Sequence, residues 1–163
     1  MNFRFDRALK MESRFIIEEY FPAVLEISGY SEELNNHFIE FNYKDTDMFE
    51  FAVHRETHAI KRFTLTLCNH YAIIEGNLSA PDSPDGALMI DGPDTAECKT
   101  FMVSIYSDGM IIKLSDDNPS YYYRTGNLIL ALTENNELTD VYLVNLSKAE
   151  SDHVKNELNL AVR

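Results

Sequence analysis

Three histidines and one cysteine are the residues best suited to chemistry in this sequence. His54 and His58 lie four positions apart in H-R-E-T-H, and Cys68 and His70 follow a short apolar run. Imidazole and thiolate groups are the usual ligands of structural zinc. In the zincin signature, however, a glutamate directly follows the first histidine and the motif lies on a helix, whereas Glu56 is displaced by one position here. We predict surface histidines on a polar turn, with a small metal-dependent or hydrolytic enzyme as the alternative.

The rest of the sequence carries no recognisable catalytic signature. It has no G-x-S-x-G nucleophile motif and no glycine-rich loop followed by a lysine that would hold a phosphate. Cys68 lies within an apolar segment, which is typical of an inert buried thiol. We therefore expect a protein that is not an enzyme and that needs no cofactor and no metal.

The charge balance favours a basic partner. The 163 residues include 14 Lys and Arg against 27 Asp and Glu, a net charge of −13 at pH 7. Such a surface repels phosphate backbones and anionic membranes, so neither nucleic acid nor a membrane is expected as a partner. It attracts a basic protein, or it serves only to keep the chain soluble.

The sequence also predicts the compartment. Two cysteines are too few for a disulfide framework, and the first fifteen residues lack the apolar core of a secretory signal. No apolar run is long enough to span a bilayer. These features predict a cytoplasmic protein with reduced thiols.

We predict that the first third of the chain is helical. Leu9, Ile16 and Tyr20 fall on one face at helical spacing. Pro22 cannot donate a backbone hydrogen bond, so it ends this helix and can open a second short one through Leu25. A further helical turn is expected over residues 31–35.

From about residue 37 the hydrophobic period changes to two, which predicts strands with one buried and one exposed face. The last element is predicted as a helix, because Ser147 and Glu150 form a capping box at its start. The predicted fold class is thus α+β, with N-terminal helices, a mostly antiparallel sheet of two hairpin-rich halves and a capped C-terminal helix. We expect a single domain over residues 1–163, with a soft boundary in the acidic loop 78–97. The predicted strands span residues 39–43, 48–53, 60–67, 71–74, 101–106, 110–114, 121–124, 127–132 and 138–146.

Two segments of the predicted sheet resemble each other. Each has a strand, a polar turn and a second strand, and the second strands align at an offset of 78 residues, so that Phe63 corresponds to Val141 and Leu65 to Leu143. An ancient duplication would explain this. Two ordinary hairpins that obey the same alternation would also explain it, and we favour that interpretation.

Acidic turns and a tyrosine run are the candidate partner-binding residues. Tyrosine is enriched at interface hot spots, because it buries a large area and keeps a polar group. In a strand, Tyr121 and Tyr123 share one face and Tyr122 takes the other. The candidate partner-binding residues are Asp82, Asp85, Asp91, Asp94, Asp116, Asp117, Tyr121, Tyr122 and Tyr123.

Two stretches resemble bacterial immunity proteins of contact-dependent growth inhibition and related polymorphic toxin systems. VHRETHAIKRFTLTLCN is similar to a hairpin with a charged turn found in many of them, and YYYRTGNLILALTENNELTDVYLVNLSKAE is similar to their C-terminal hairpin and capped helix. The resemblance implies a small, acidic, cytoplasmic inhibitor that neutralises one cognate toxin domain, for which a nuclease with a basic cleft is one candidate. A non-catalytic regulatory subunit, monomeric or homodimeric, is a further alternative.

Overall fold

The computed structural model describes residues 1–31 and 35–161 and consists mainly of β-strands. In the first half, the strands are β1 Asn2–Asp6, β2 Ser13–Phe15, β3 Ala23–Ile27, β4 Asn36–Tyr43, β5 Asp47–His54, β6 Ile60–Leu67 and β7 Tyr71–Ile73. The second half contains β8 Ala87–Asp91, β9 Thr95–Glu97, β10 Met102–Ile105, β11 Met110–Lys113, β12 Tyr121–Thr125, β13 Leu128–Leu132, β14 Leu138–Leu143 and the helix α1 Lys148–Ala161.

The strands form two six-stranded sheets and one two-stranded ribbon. The first sheet has the order β2-β3-β6-β5-β4-β9, the second has the order β12-β13-β14-β11-β10-β7, and β1 pairs with β8 in the ribbon. All neighbouring strands in these sheets are antiparallel except β9 on β4 and β7 on β10, which are parallel. Each sheet therefore receives one short edge strand from the segment that connects the two halves of the chain.

The two sheets repeat one topology. In each, a hairpin is followed by a three-stranded meander whose last strand returns to pair with the second strand of the hairpin, giving the order β2-β3-β6-β5-β4 and then β10-β11-β14-β13-β12. Phe63 in β6 lies between β3 and β5, and Val141 lies in the corresponding place between β11 and β13. Leu65 and Leu143 correspond in the same way. The sequence offset of 78 residues is therefore also a structural correspondence.

A shared irregularity strengthens this correspondence. The pairing of β5 with β6 shifts register at two places, one of them directly after Ala52, and the pairing of β13 with β14 shifts register directly after Ala131. Bulges tend to be kept at fixed positions within a family, because they reorient the strand. The repeated strand order and the repeated bulge favour duplication over the coincidence of two ordinary hairpins that we preferred from the sequence.

One hydrophobic core joins the two sheets. Phe49 and Phe51 of β5 and Phe63 of β6 are fully buried and contact one another. Phe101 lies just before β10, and its ring centroid is 6.2 Å from that of Phe49. The inward residues of β10, β11, β13 and β14 belong to the same cluster. Strand alternation thus points both sheets toward shared apolar packing.

The C-terminal helix is present as predicted. Ser147 N donates to Glu150 Oε1 at 2.9 Å and Glu150 N donates to Ser147 Oγ at 3.2 Å, which is the reciprocal capping box. Val154 and Leu158 are fully buried in the shared core. Ser151 Oγ donates to the carbonyl of Tyr106, so the helix is also tied to the second sheet. Within the described residues, no helix is long and apolar enough to cross a membrane.

The predicted N-terminal helices are wrong, so the α+β class is replaced by a mostly β fold. Residues 13–15 and 23–27 are the strands β2 and β3. Leu9 and Tyr20, two residues of the apparent helical stripe, are 53% and 79% exposed. Pro22 precedes a strand and not a helix, because β3 pairs with β6 along its length and is buried on both faces. This non-local pairing overrides local helix propensity. The helical turn predicted over residues 31–35 includes residues 32–34, which lie outside the described residues.

The proline-rich segment 78–97, which the sequence predicts as a surface loop interrupted by a short apolar piece at residues 88–90, contains two short strands. Its short apolar piece is β8, which pairs with β1, and its end is β9. The β1–β8 ribbon contacts both sheets, since Met89 bridges to Ala59 beside β6 and Asp85 bridges to Arg124 in β12. The acidic segment therefore connects the two halves structurally.

A buried carboxylate fixes the point where the chain leaves the first sheet. Asp47, at the start of β5, is fully buried. Its Oδ1 accepts backbone hydrogen bonds from Asn69 at 2.7 Å and His70 at 3.1 Å. Its Oδ2 accepts from Thr46 Oγ1 at 2.7 Å and lies 2.6 Å from His70 Nδ1. These bonds hold the connection from β6 to β7, and hence the entry of the chain into the second sheet.

Replacing Asp47 by alanine is expected to lower the free energy of unfolding by about 2–4 kcal/mol, because four part-buried hydrogen bonds to one buried carboxylate are lost. Urea unfolding followed by circular dichroism measures this change. Asp116→Ala is the control, since that side chain is 91% exposed and pairs with Lys113, and exposed pairs contribute about 0–1 kcal/mol. Equal losses in the two variants would show that Asp47 does not hold the crossover.

Candidate binding surface

The four residues considered for zinc do not meet. His54 and His58 flank the β5–β6 turn, whereas Cys68 and His70 follow the other end of β6. A strand of eight residues at about 3.3 Å per residue separates the pairs by roughly 25 Å. Among the residues that the structure describes, no group of three or more His, Cys, Asp or Glu side chains is arranged to hold a metal ion.

The arrangement closest to a catalytic site lacks a nucleophile. Buried Asp47 orients the half-exposed His70 through Nδ1, as in the base-orienting half of a catalytic triad. The nearest thiol, Cys68, is 3% exposed and donates to the carbonyl of His70 at 3.6 Å. Burial, with the nearby Asp47 carboxylate, raises the pKa of Cys68 to about 12. A thiol held neutral in this way cannot attack a substrate at neutral pH.

The predicted acidic patch is partly neutralised by the chain itself. Asp91 pairs with Arg4 and His58, Asp94 lies 3.9 Å from His37, Asp116 pairs with Lys113 and Asp117 with Lys99. The carboxylate of Asp85 accepts a hydrogen bond from the backbone N–H of Gly126. Asp82 is exposed and lies in the loop before β8. Most of these aspartates therefore have a partner within the chain.

The three consecutive tyrosines lie on edge strand β12 and divide between its two faces, as the alternation predicts. Tyr121 and Tyr123 stack with their ring centroids 6.2 Å apart. Tyr122 points to the opposite face and packs edge-on against Tyr142, with centroids 6.4 Å apart. Both faces of this edge strand therefore carry aromatic side chains.

The first of these faces is an aromatic groove, formed by Phe5, Tyr123 and Tyr121. Phe5 of β1 stacks on Tyr123 at 4.7 Å, so the three rings lie in one row. Tyr121 ends the row and is 48% exposed, which leaves one ring face open. Arg7 and Glu134 also line the groove, whose volume is about 420 Å³.

A cavity of about 370 Å³ adjoins the aromatic groove. Phe3 and Asn136 line both, and Asn136 Nδ2 donates to the carbonyl of Phe3 at 3.1 Å. Glu97 and Glu137 are exposed at the cavity, and no ion pair is formed by either within the described part of the chain. Groove and cavity together offer apolar area beside free carboxylates.

The second face of β12 belongs to the outer side of the second sheet. There Tyr106, Tyr122 and Tyr142 are half-buried near the carboxylate of Asp140, and we call these four residues the tyrosine face. Burial, Asp140 and then the two other tyrosines raise the pKa of Tyr142 to about 12. The carboxylate and the other two tyrosines therefore act electrostatically on Tyr142 across this face.

The negative charge of Asp140, the carboxylate of the tyrosine face, is only partly compensated by its surroundings. Burial raises its pKa above the ordinary 3.8, and a hydrogen bond from Thr139 Oγ1 at 2.9 Å and the charge of Lys113 only partly oppose this. Lys113 lies opposite Asp140 in the sheet register, but its Nζ pairs with Asp116 at 3.3 Å. Over residues 1–31 and 35–161, Asp140 forms no ion pair within 4.0 Å. Its ionised form thus lacks the partner that half-buried charges usually have.

Sequence reasoning missed Tyr106, Tyr142 and Asp140. Each occurs in a segment predicted as a strand and sits at an outward position of the alternation. That pattern alone could have placed Tyr142 and Asp140 on one face. Tyr122 and Tyr106 lie near them because of the order of the strands in the sheet, and that order cannot be predicted from the sequence pattern.

The comparisons with known proteins add no relative. No protein-family model matches the chain, and no curated protein is detectably similar to it. The resemblance to immunity proteins therefore stays a prediction.

Replacing Asp140 by asparagine is expected to stabilise the free protein at neutral pH. Because the folded-state pKa is raised, the native protein holds the proton more tightly than the unfolded chain, and ionisation above that pKa costs stability. The gain in the variant should be complete at neutral pH and should vanish as the pH falls toward the ordinary value of 3.8. Each kcal/mol gained raises the Tm by roughly 2–4 °C.

Thermal unfolding across this pH range provides the measurement. Asp45→Asn is the matched control, since Asp45 is exposed in the β4–β5 turn and asparagine tolerates its positive φ of 58°. A variant that is less stable than the wild type at neutral pH would mean that the Asp140 charge is already compensated.

Proposed function

We propose that this protein is a non-catalytic inhibitor, an immunity protein, that binds and neutralises a basic toxin domain in the cytoplasm of a bacterium. The observation that carries the proposal is the tyrosine face, in which the charge of a half-buried carboxylate beside three tyrosines is only partly compensated. Tyrosine and a desolvated charge at the centre of a patch are typical of interface hot spots.

The electrostatics of Asp140 favour a cationic ligand. Its charge costs stability in the free protein, since burial raises its pKa and the nearest lysine is engaged with Asp116. A guanidinium or ammonium group from a partner would replace the lost hydration and would pair with the carboxylate. A residue that is unfavourable for the fold alone is expected where binding compensates for it.

The edge strand β12 extends this surface to a second face. A partner that binds to both faces of β12 would contact Tyr122 on the tyrosine face and Tyr121 at the open end of the aromatic groove. An arginine side chain or another planar group can continue the row of stacked rings over Tyr121. An interface of about 1,600 Å² would cover both faces of the edge.

The net charge of −13 supports a basic partner over nucleic acid or an anionic membrane. A nuclease domain needs a basic cleft to hold phosphates, and an acidic inhibitor is steered toward such a cleft at long range. The exposed carboxylates Glu97, Glu134 and Glu137 lie beside the groove and cavity, where they would add to this attraction.

The enzyme alternative has less support. The residues considered for zinc are split between the two ends of β6, and the Asp47–His70 pair has only a buried, neutral thiol beside it. Asp47 also accepts bonds from two backbone N–H groups, so its position is explained by the chain crossover. A structural role accounts for each of these groups.

Binding to a panel of basic toxin domains tests the proposal, beginning with any toxin domain encoded beside this protein's gene. Isothermal titration calorimetry at several salt concentrations should give an affinity that falls as the salt concentration rises, because surface charges are screened. Co-expression with the bound domain should restore growth of the host. Failure to bind any domain at low salt, or binding that is indifferent to salt, would contradict the proposal.

Single substitutions in this protein locate its binding surface, with the same toxin domain as the partner. Asp140→Asn and Tyr122→Ala should each weaken binding by roughly tenfold or more, and Tyr121→Ala should weaken it less. Phe38→Ala is the matched control for the tyrosines, since Phe38 is 49% exposed on β4 of the first sheet. Asp45→Asn is the charge control, and both controls should stay within about twofold of wild type. Equal losses of affinity in Phe38→Ala and Tyr122→Ala would show that the interface does not lie on β12.

A further inference from the structure

A separate pocket contains three of the five histidines. It has a volume of about 220 Å³ and lies where the β5–β6 turn meets the start of β4 and the end of β8. His37, His54, Arg55 and His58 line it, with Asp91 as the one acidic residue of the lining. In a protein of net charge −13, this is a local concentration of groups that donate hydrogen bonds or carry positive charge.

The ring of His54 is fixed as a hydrogen-bond donor. Its Nδ1 accepts from the backbone N–H groups of Glu56 at 3.2 Å and Thr57 at 3.3 Å. An imidazole whose Nδ1 accepts carries its hydrogen on Nε2. His54 therefore offers an N–H, and has no free lone pair for a metal.

The carboxylate of Asp91 is already occupied. Its Oδ1 lies 2.7 Å from Nδ1 of His58, and its Oδ2 lies 3.3 Å from Nη2 of Arg4. His58 therefore uses Nδ1 within the protein and, when protonated, presents a further N–H at Nε2. Arg4 balances the charge of Asp91, so the carboxylate opposes an incoming anion less than its place in the lining suggests.

His37 supplies a nitrogen without a hydrogen bond. Its Nε2 is buried and has no hydrogen-bond partner in the described part of the chain. The nearest carboxylate, that of Asp94, lies 3.9 Å away, which is too far for a hydrogen bond, and is 89% exposed. A buried polar nitrogen left in this way is unusual and is satisfied when a ligand supplies the missing partner.

We propose that this pocket binds a small tetrahedral oxyanion of the sulfate or phosphate class. Three imidazoles and the Arg55 guanidinium supply donors around a space suited to one such ion, and charge-assisted hydrogen bonds to its oxygens are strong. The site is independent of β12 and does not rest on the proposed inhibitor function.

Binding of the anion should tighten at acidic pH, because an imidazole that takes up a proton gains a positive charge and a second N–H donor. The titratable and charged groups around His58 are His37 on β4, His54, Arg55 and Glu56 at the turn, Asp91 on β8, Asp94 before β9 and Arg4 on β1. Sulfate is the suitable probe, since it keeps its double charge over this range and the pH effect then reports the protein.

Side-chain imidazole NMR of protein labelled with ¹⁵N-histidine tests the site, with sodium sulfate titrated against chloride at constant ionic strength. At about pH 6, the signals of His54 and His58 should shift in a saturable way, and those of His70 and His153 should stay in place. Binding should weaken at about pH 8. Arg55→Gln should weaken it by roughly tenfold, whereas Arg14→Gln, a control at a side chain 76% exposed, should not.

Three results would overturn this site. They are shifts no larger than those produced by chloride, equal shifts at His70 and His153, and unchanged affinity in Arg55→Gln. A parallel titration compares inorganic phosphate with O-phosphoserine. Tighter binding of O-phosphoserine would assign the same pocket to a phosphate carried by a larger molecule, and tighter binding of phosphate would assign it to the free ion.

Discussion

The fully buried carboxylate of Asp47 holds the two halves of the molecule together where the chain crosses between them. It accepts the backbone N–H groups of Asn69 and His70 just as the chain leaves β6, and it thereby directs β7 into the second sheet. β9, further along the connecting segment, pairs with β4 of the first sheet. Two copies of one five-stranded topology thus interlock and share a core. The inner side of the second sheet and the helix α1 pack into that core, and the outer side of the sheet carries the tyrosines and the carboxylate.

Much of this architecture was predictable wherever one face of a strand is buried. The alternation along β4, β5, β6 and β14 predicted these strands correctly, because a period of two in the apolar residues is typical of a strand with one buried face. The first third failed for the opposite reason. Tyr20 adopts a positive φ of 78° in a turn, and β3 is buried on both faces, so neither gives the alternation that identifies a strand. The structure of β3 depends on its pairing with β6, about 40 residues later, and the local spacing of apolar residues does not reveal that pairing.

The binding surface was predictable only in part, and the limits are physical. Strand geometry alone divides Tyr122 from Tyr121 and Tyr123, and the structure agrees. The acidic composition of the turns overstates the negative charge that is free to bind a partner, since Asp91 and Asp117 pair with nearby cations of the same chain. Asp140 could not have been singled out, because its importance depends on how deeply its neighbours bury it and on Lys113 turning toward Asp116.

We propose that Asp140 is held without an ion-pair partner in the free protein and receives one from a basic partner. Carboxyl ¹³C NMR titration of Asp140, free and in complex with a bound basic domain, measures this most directly. The account predicts a pKa above the ordinary 3.8 in the free protein and a fall below that value in the complex, because a partner cation then stabilises the ionised form. An Asp140 pKa that is the same in both states would contradict the claim.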